Sequence, residues 1–361
     1  MKAIKYFVLV VPAFTIIILF LNFLSTGFGF SIIPGRSTII GHSIIERFNV
    51  VEERRNPPQE PVKLSNDRVF FPIFDSARKS VFYYEPGTGF IKSVALSNIN
   101  GDFVAPVMVA EIKPRLEEIR WLSSGKSLIA MAGDVSYYYD LSGNYVRRLN
   151  KPLFDSTLSV RDYRVAFLDY DEMVGKGYIS VYLPADDLVK KILPTRSQNW
   201  EVAWASQDSL SLINWPGSRP SENYLFILNV NDGSLRKLLE GRSGLEVVWS
   251  PLGTAFIFSE TDRLGNVQLS FFDVNSATEK RIGDNLHASS CIWDNKSRGI
   301  FCFDEKFLVY INIGPDKQKT IIRQVDAALI DTGSLFLTGD EKYLIYKSRA
   351  DSKLYGLWLD W

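Results

Sequence analysis

Few residues of this chain have the types and spacing that catalysis needs. The 361 residues include two histidines, His42 and His287, which lie far apart in the sequence. A hydrolytic triad requires a nucleophile, a base such as histidine and a third group that orients the base. The Gly-x-Ser-x-Gly pattern of a nucleophile elbow does not occur. We interpret both histidines as ordinary surface or edge residues and predict no catalytic residue.

The densest acidic stretch is LDYDEMVG, which contains Asp169, Asp171 and Glu172. Alternating carboxylates supply the oxygen ligands that calcium prefers. A solvated loop explains the same residues, and we favour the loop. The chain has neither a glycine-rich phosphate loop nor a Cys-x-x-Cys pair. We therefore expect no metal site and no bound cofactor.

The two cysteines, Cys291 and Cys302, flank a predicted turn at 294–299 and would face each other on adjacent strands. A cross-strand disulfide is feasible at such a pair if the protein lies outside the cytoplasm. The alternative is two small buried side chains, because the preceding repeat has Val247 and Phe258 at these positions. The sequence leaves both interpretations open.

These residues belong to a repeated unit. The stretch VVWSPLGTAFIFS, residues 247–259, reads as a strand, a tight turn and a second strand, and similar stretches recur along the chain. Their tryptophans are 83, 45 and 44 residues apart, which predicts a period near 44 with one copy that lacks the tryptophan. The four tryptophans of this series are Trp121, Trp204, Trp249 and Trp293. Two more strands, joined by turn residues, follow most copies. Four antiparallel strands in about 40 to 45 residues is the pattern of a β-propeller blade.

The predicted fold is all-β, a seven-bladed β-propeller, with six or eight blades as the alternatives. One marker position in the second strand of each copy gives the count: Val69, Leu128, Val165, Ser211, Phe256, Ile300 and Leu344. The first two markers are 59 residues apart, which we interpret as an insertion at 97–117 between blades one and two.

The last copy supplies a second and a third strand but no fourth. An exposed unpaired strand invites aggregation, so we predict that an N-terminal strand near 42–53, HSIIERFNVVEE, pairs with the last blade and closes the ring. The prolines of RRNPPQEP, residues 54–61, suit an extended connector to the first blade.

The blade VVWSPLGTAFIFSETDRLGNVQLSFFDV resembles the repeat of TolB-like propellers and of the propeller domains attached to prolyl peptidases, and in architecture it is WD-repeat-like. The family has Asp where this chain has Leu252. The shared positions are Trp249, Ser250, Pro251, Gly253, Asp262, Arg263, Gly265, Asn266 and Asp273. This resemblance implies the fold and transfers no catalytic residue.

Residues 1–35 are predicted to contain a cytoplasmic tip, a membrane anchor and a short apolar linker. Lys2 and Lys5 are followed by no charge until Arg36. The strongly apolar part, 6–24, would span about 28 Å as a helix, against about 30 Å of bilayer hydrocarbon. We predict one uncleaved transmembrane helix with a cytoplasmic N-terminus, and a cleaved signal peptide is the alternative. The propeller domain, 36–361, would then be extracytoplasmic.

Trp200 and Trp215 are the candidates for a ligand-binding face, because they lie near strand ends and loops, where propeller ligands dock. The 41 Lys and Arg residues balance the 41 Asp and Glu residues, so no net charge draws the chain to nucleic acid. We predict a membrane-tethered binding or scaffolding module for an envelope protein or a glycan, and not an enzyme. The alternative is a glycan-acting hydrolase or lyase whose carboxylates converge at the propeller channel.

Overall fold

The protein is described from a computed structural model. The structure describes residues 60–359, apart from 97–104, 113–115, 123–124, 134, 144, 150–152, 154–155, 160–163, 185, 216–222 and 315–318. These residues form seven four-stranded antiparallel sheets and two short 3₁₀ turns, Ala288–Ser290 and Ala327–Leu329. The all-β, seven-bladed prediction is therefore confirmed.

The strands are numbered along the chain. They are β1 Val62–Lys63, β2 Phe70–Asp75, β3 Ser80–Glu85, β4 Phe90–Ala95, β5 Val107–Glu111, β6 Glu118–Leu122, β7 Ser127–Ala132, β8 Val135–Asp140, β9 Tyr145–Arg148, β10 Thr157–Leu158, β11 Val165–Asp171, β12 Lys176–Leu183, β13 Leu188–Thr195, β14 Trp200–Ser206, β15 Ser209–Asn214, β16 Asn223–Asn229, β17 Leu235–Arg242, β18 Glu246–Trp249, β19 Ala255–Thr261, β20 Val267–Asp273, β21 Thr278–Asp284, β22 Cys291–Trp293, β23 Gly299–Asp304, β24 Phe307–Asn312, β25 Lys319–Gln324, β26 Ile330–Leu337, β27 Tyr343–Ser348 and β28 Leu354–Trp358.

Each blade is a run of neighbouring strands. Blades 1 to 6 are β2–β5, β6–β9, β10–β13, β14–β17, β18–β21 and β22–β25, and blade 7 has the order β1-β28-β27-β26. First strands of neighbouring blades contact each other, as β2 does with β6 and β26, so the first strands form the inner ring. We call the face that carries the second-to-third-strand hairpins and the connections between blades the upper face, and the opposite one the lower face.

The core lies between the blades because each sheet is buried on both faces. In β19, Phe256 and Phe258 pack with Ile213 and Leu225 of blade 4, whereas the intervening Ile257 packs with blade 6. A strand covered on both faces reads as a continuous apolar run instead of an alternating one. This explains the AFIFS and GIFCF runs of second strands.

Three of the repeat tryptophans link neighbouring blades. The indole Nε1 of Trp121 donates a hydrogen bond to the Phe71 carbonyl, that of Trp204 to Thr157, and that of Trp293 to Val248. Each acceptor lies in the first strand of the preceding blade. The period near 44 therefore reflects a repeated contact between blades. Trp249 differs, because its buried Nε1 has no partner and its ring packs on Phe256. The remaining copies have no tryptophan at this position.

The strand assignment in blade 1 needs a correction. The stretch RVFFPIFD, residues 68–75, contains the marker Val69 and was therefore predicted to be a second strand, but it contains the first strand β2. The predicted insertion at 97–117 contains the fourth strand β5. Blade 1 therefore has an ordinary set of four strands. The residue of blade 1 equivalent to Leu128 is Val81, because each is the second residue of its second strand and packs toward the preceding blade. The two are 47 residues apart, and the apparent gap disappears.

The ring is closed by β1, which pairs with β28 as the outermost strand of blade 7. Around this pair, the Leu64 amide donates to Leu354, the Val69 amide donates to Ser352, and the Leu354 amide donates to the buried Ser65 hydroxyl. The closing position beside β28 is thus held by Val62–Lys63, whereas the segment 42–53 lies outside the described residues.

The hairpin of blade 6 joins Cys291 in β22 to Cys302 in β23 through a disulfide. The two residues are directly opposite each other in the antiparallel register, with their Cα atoms 4.1 Å apart. The turn between them is stabilised by Asp294, whose carboxylate accepts hydrogen bonds from the amides of Lys296 and Arg298.

Within the part of the chain that the structure describes, no helix is long and apolar enough to cross a membrane. The predicted anchor in 1–35 lies outside the described residues.

Candidate functional site

Trp200 begins β14, the inner strand of blade 4, at the upper face. Its Nε1 donates to the Thr195 hydroxyl at 2.8 Å, which fixes the indole against the end of β13. Its ring meets Phe226 edge to face, with the centroids 5.8 Å apart. Phe226 in turn stacks on Tyr224 at 6.5 Å. A run of three partly exposed aromatic rings results.

These rings line an open groove of about 700 Å³, which we call the aromatic groove. Its floor crosses all four strands of blade 4 on the face that looks toward blade 3: Trp200, Asn214, Tyr224, Phe226, Leu235 and Lys237. Its wall comes from the end of blade 3: Pro194, Thr195, Arg196 and Ser197. Most of its surface is apolar with hydroxyl, amide and cationic groups at the rim, as in ligand sites generally.

A second cavity of about 490 Å³ adjoins the groove, and we call it the polar pocket. Tyr170, Glu172 and the connection 196–199 line it, so Arg196 and Ser197 belong to both cavities. The Tyr170 hydroxyl donates to the Arg196 carbonyl at 3.0 Å and holds this connection in place. The Arg196 guanidinium has no partner among the described residues.

Trp215 follows β15, and its amide donates to Asn199. Its side chain is 46% exposed but lies outside both cavities. Met173 and Leu264, on the upper-face hairpins of blades 3 and 5, are 98% and 87% exposed. We call Met173, Trp215 and Leu264 the apolar tips, since three consecutive blades present one each on the upper face.

A pair of carboxylates also lies on inner strands at the upper face. Glu201 is the second residue of β14, and Glu246 is the first residue of β18 in the next blade. Glu246 accepts hydrogen bonds from the hydroxyls of Ser259 and Ser289 and the amide of Ser289. His287, interpreted above as an ordinary residue, places Nδ1 3.1 Å from Glu246, while His42 lies outside the described residues.

The two carboxylates have pKa values shifted in opposite directions. Loss of solvent around Glu201, followed by the charge of Glu246, raises the pKa of Glu201 even though its side chain still reaches solvent. Partial burial opposes ionisation of Glu246, but hydrogen bonds from Ser289 and His287 outweigh it, and the pKa of Glu246 is lowered. Such a split separates a proton donor from a proton acceptor in general acid–base chemistry.

No group of three or more His, Cys, Asp or Glu side chains suited to a metal ion occurs among the residues that the structure describes. In the acidic loop of blade 3, the carboxylate of Asp171 accepts hydrogen bonds from the amides of Met173 and Val174. This is a turn-stabilising role.

Sequence reasoning found part of this surface. Trp200 lies in the aromatic groove and Trp215 beside it on the same face. The Glu201–Glu246 pair was missed, since the two residues are 45 positions apart in different repeats. The period of about 44 was the only available signal, because it places both at the start of an inner strand.

No protein-family model and no curated protein matches this chain. Several solved structures do match the chain. An oligogalacturonate lyase in complex with manganese matches with a TM-score of 0.61 and 11% identity, over 84% of this chain and 92% of that one. The WD40 repeats of RRP9 match with a TM-score of 0.54 and 8% identity, over 83% and 97%. TolB from Acinetobacter baumannii matches with a TM-score of 0.43 and 12% identity, over 72% and 65%.

At these identities the likeness concerns the fold alone. The described residues form a seven-bladed β-propeller, and propellers of the TolB and WD40 kinds are among the solved structures similar to it.

Proposed function

We propose that this protein is a membrane-tethered, extracytoplasmic binding or scaffolding module that uses the upper face of its propeller. The observation that carries the proposal is the concentration of ligand-binding features on blades 3 to 5. The aromatic groove, the polar pocket and the apolar tips all belong to these blades. Large exposed apolar side chains beside polar groups are typical of interaction surfaces. An envelope protein or a glycan is the partner that we propose.

Site-specific photo-cross-linking in intact cells tests the use of the upper face. A photoreactive residue at Met173 or Leu264 is expected to give a discrete adduct. The same residue at Leu252 is expected to give none, because Leu252 is also apolar and 58% exposed but lies on a lower-face hairpin of blade 5. Equal adducts from both faces, or none from the upper face, would reject the proposal.

The location is supported by two independent features. The apolar stretch 6–24 has the length of one bilayer crossing, and a disulfide in blade 6 suits an oxidising compartment. Fusion of alkaline phosphatase to the C-terminus is expected to give active enzyme, because the phosphatase requires export. An inactive phosphatase with an active cytoplasmic reporter at the same position would contradict this location.

The second candidate function is a glycan-acting hydrolase or lyase. The Glu201–Glu246 pair favours it, since one carboxyl holds its proton more firmly and the other is held ionised. The similar oligogalacturonate lyase acts on a glycan, as its name states. Manganese accompanies that enzyme, but the described residues here offer no cluster of three donors, and we derive no step through a metal.

The enzymatic candidate has its own test. Incubation of the full chain with uronic acid oligosaccharides would show new reducing ends, or the ultraviolet absorbance of an unsaturated product in the case of a lyase. Activity that Glu201→Gln and Glu246→Gln each abolish would support the enzyme. Unchanged substrate after prolonged incubation would leave binding as the function.

A further inference from the structure

We propose that the aromatic groove and the polar pocket together bind an oligosaccharide that carries an anionic group, which Arg196 recognises. This inference deepens the proposed function and rests on it. It goes further by assigning a ligand class to one part of the upper face.

Three residues on the floor of the groove, Trp200, Tyr224 and Phe226, present flat aromatic surfaces. The Nε1 of Trp200 already donates to Thr195, so the indole has only its ring to offer a ligand. Tyr224 and Phe226 continue the surface across the third strand of the blade. The C–H faces of sugar rings are apolar, and stacking on aromatic rings removes that area from water while the hydroxyl groups stay free at the edges.

The rim supplies hydrogen-bonding groups where the edges of a stacked ring would lie. Ser197 and Asn214 stand beside Trp200, and the Asn214 amide nitrogen donates to Ser197 and to the Asn199 carbonyl. These bonds use the donors of Asn214 and keep its position fixed. A rim whose polar groups are held in place suits a sugar, because a sugar ring presents many hydroxyl groups in fixed directions.

The two cavities form one path, because Arg196 and Ser197 line both. Beyond Arg196 the lining becomes polar, with Glu172, Gln198 and Asn199. An apolar peptide that followed the groove would have to leave these groups without hydrogen-bond partners, and that costs free energy. A chain of sugars offers apolar faces to the first cavity and hydroxyl groups to the second, so we favour the saccharide.

The charge at the junction defines the ligand further. The Arg196 guanidinium is exposed and forms no ion pair with Glu172 or any other described residue. Lys237, at the far end of the groove, is bonded to Glu240. Guanidinium groups bind carboxylates and phosphates through two parallel hydrogen bonds. A single anionic group at the junction of the cavities therefore completes the site.

Binding of the full chain, purified in detergent, to a panel of acidic oligosaccharides tests the inference. The panel contains uronic acid and muramic acid oligomers, with their methyl-esterified counterparts and a set of proline-rich and aromatic peptides. At least one acidic oligosaccharide is expected to bind, and its neutral counterpart to bind about tenfold more weakly, since the counterpart cannot form charge-assisted hydrogen bonds with Arg196.

Variants then locate the site. Arg196→Gln is expected to weaken binding about tenfold, and Tyr224→Ser to weaken acidic and neutral sugars alike. Arg263→Gln is the matched control, because Arg263 is an exposed cation on the upper-face hairpin of blade 5, away from both cavities. It is expected to leave binding unchanged. Thermal unfolding of each variant distinguishes lost binding from lost folding.

Several results would overturn the inference. They are binding of no acidic oligosaccharide, equal binding of the neutral counterparts, preference for the peptides, or equal losses in the Arg196 and Arg263 variants. If upper-face adducts at Met173 and Leu264 persist in that case, the binding module stands and only the ligand class falls. If the sugars bind while those adducts are missing, the groove is a saccharide site on a surface that docks no protein.

Discussion

At the scale of single residues, the repeated tryptophan does two things. Its ring fills space between blades, and in three copies its indole N–H binds a carbonyl of the preceding inner strand. A buried carbonyl that loses its donor costs about 1–3 kcal/mol. Trp249 occupies the equivalent position without this hydrogen bond. Substitutions at Trp249 and at a bonded tryptophan can therefore be compared within the same protein.

We expect Trp293→Phe to lower the free energy of unfolding by about 1–3 kcal/mol more than Trp249→Phe does. Both substitutions remove the same volume, but only the first leaves a carbonyl, that of Val248, without its donor. Urea unfolding of the two variants measures the difference. Equal losses would show that the hydrogen bond contributes nothing beyond packing.

The carboxylates on the inner strands give a pH dependence. The pKa of Glu201 is raised in the folded state, chiefly by loss of solvent and then by the charge of Glu246. A carboxyl with a raised pKa stabilises the fold less as pH rises from its ordinary pKa through the raised value. We expect Glu201→Gln to increase the unfolding midpoint at pH 7 to 8, with the gain disappearing below the ordinary glutamate range. A gain that is the same at every pH would contradict this cause.

Glu246 is expected to behave in the opposite way. Its lowered pKa contributes stability above the ordinary glutamate range, and that stability is lost as pH falls through the lowered value. The midpoint of the wild-type chain should therefore fall more steeply on acidification than that of Glu246→Gln. Thermal unfolding between pH 7 and pH 3 tests this, and parallel curves would show that Ser289 and His287 do not hold the charge.

At the scale of elements, the hairpin of blade 6 is cross-linked within its own sheet. A disulfide that closes a loop of this length increases the free energy of unfolding by about 2–3 kcal/mol, because it reduces the conformational entropy of the unfolded chain. We expect a reductant to lower the unfolding midpoint of the purified protein. The same reductant should leave the midpoint unchanged in a variant in which Cys291 and Cys302 are both alanine. Non-reducing digestion should yield the linked peptide pair, and two free thiols would contradict the disulfide.

Most of the strands could be predicted from the sequence, but the position of each strand within its blade could not always be predicted. Periodic tryptophans and turn residues predicted the blades because those residues make local turns and repeated contacts. Blade 1 was misassigned because β2 lacks the tryptophan and contains Pro72 beside a shift in strand register, so it reads like the wrong strand. The Glu201–Glu246 pair depends on how neighbouring blades are placed, which a pattern within one repeat does not contain.

At the scale of the whole molecule, the ring is closed at one place, where β1 and the residues after it contact β28. We call this place the seam. Ser65 is fully buried there and accepts the Leu354 amide at 3.0 Å. Asp67, just beyond it, accepts hydrogen bonds from Tyr83 and Lys92 of blade 1 and so links the seam to the next blade. Closure thus rests on a few contacts between distant parts of the chain.

We expect Ser65→Ala in the full chain to lower the free energy of unfolding by about 1–3 kcal/mol, because the buried Leu354 amide then has no acceptor. Aggregation on mild heating should also increase, since an opened seam exposes the edge of β28. Ser142→Ala is the control, because its hydroxyl lies in an exposed turn, and it should change stability by less than about 0.5 kcal/mol. Equal effects of both substitutions would mean that the seam is not the weak point.

The same seam imposes an order of events during synthesis. The two partners of the Ser65–Leu354 hydrogen bond are 289 residues apart. At about 5–20 residues per second, roughly 15 to 60 seconds pass between their emergence from the ribosome. Throughout that interval the first blades can assemble, but β1 has no β28 to pair with. The strand β1 must therefore remain unpaired until β28 has been synthesised.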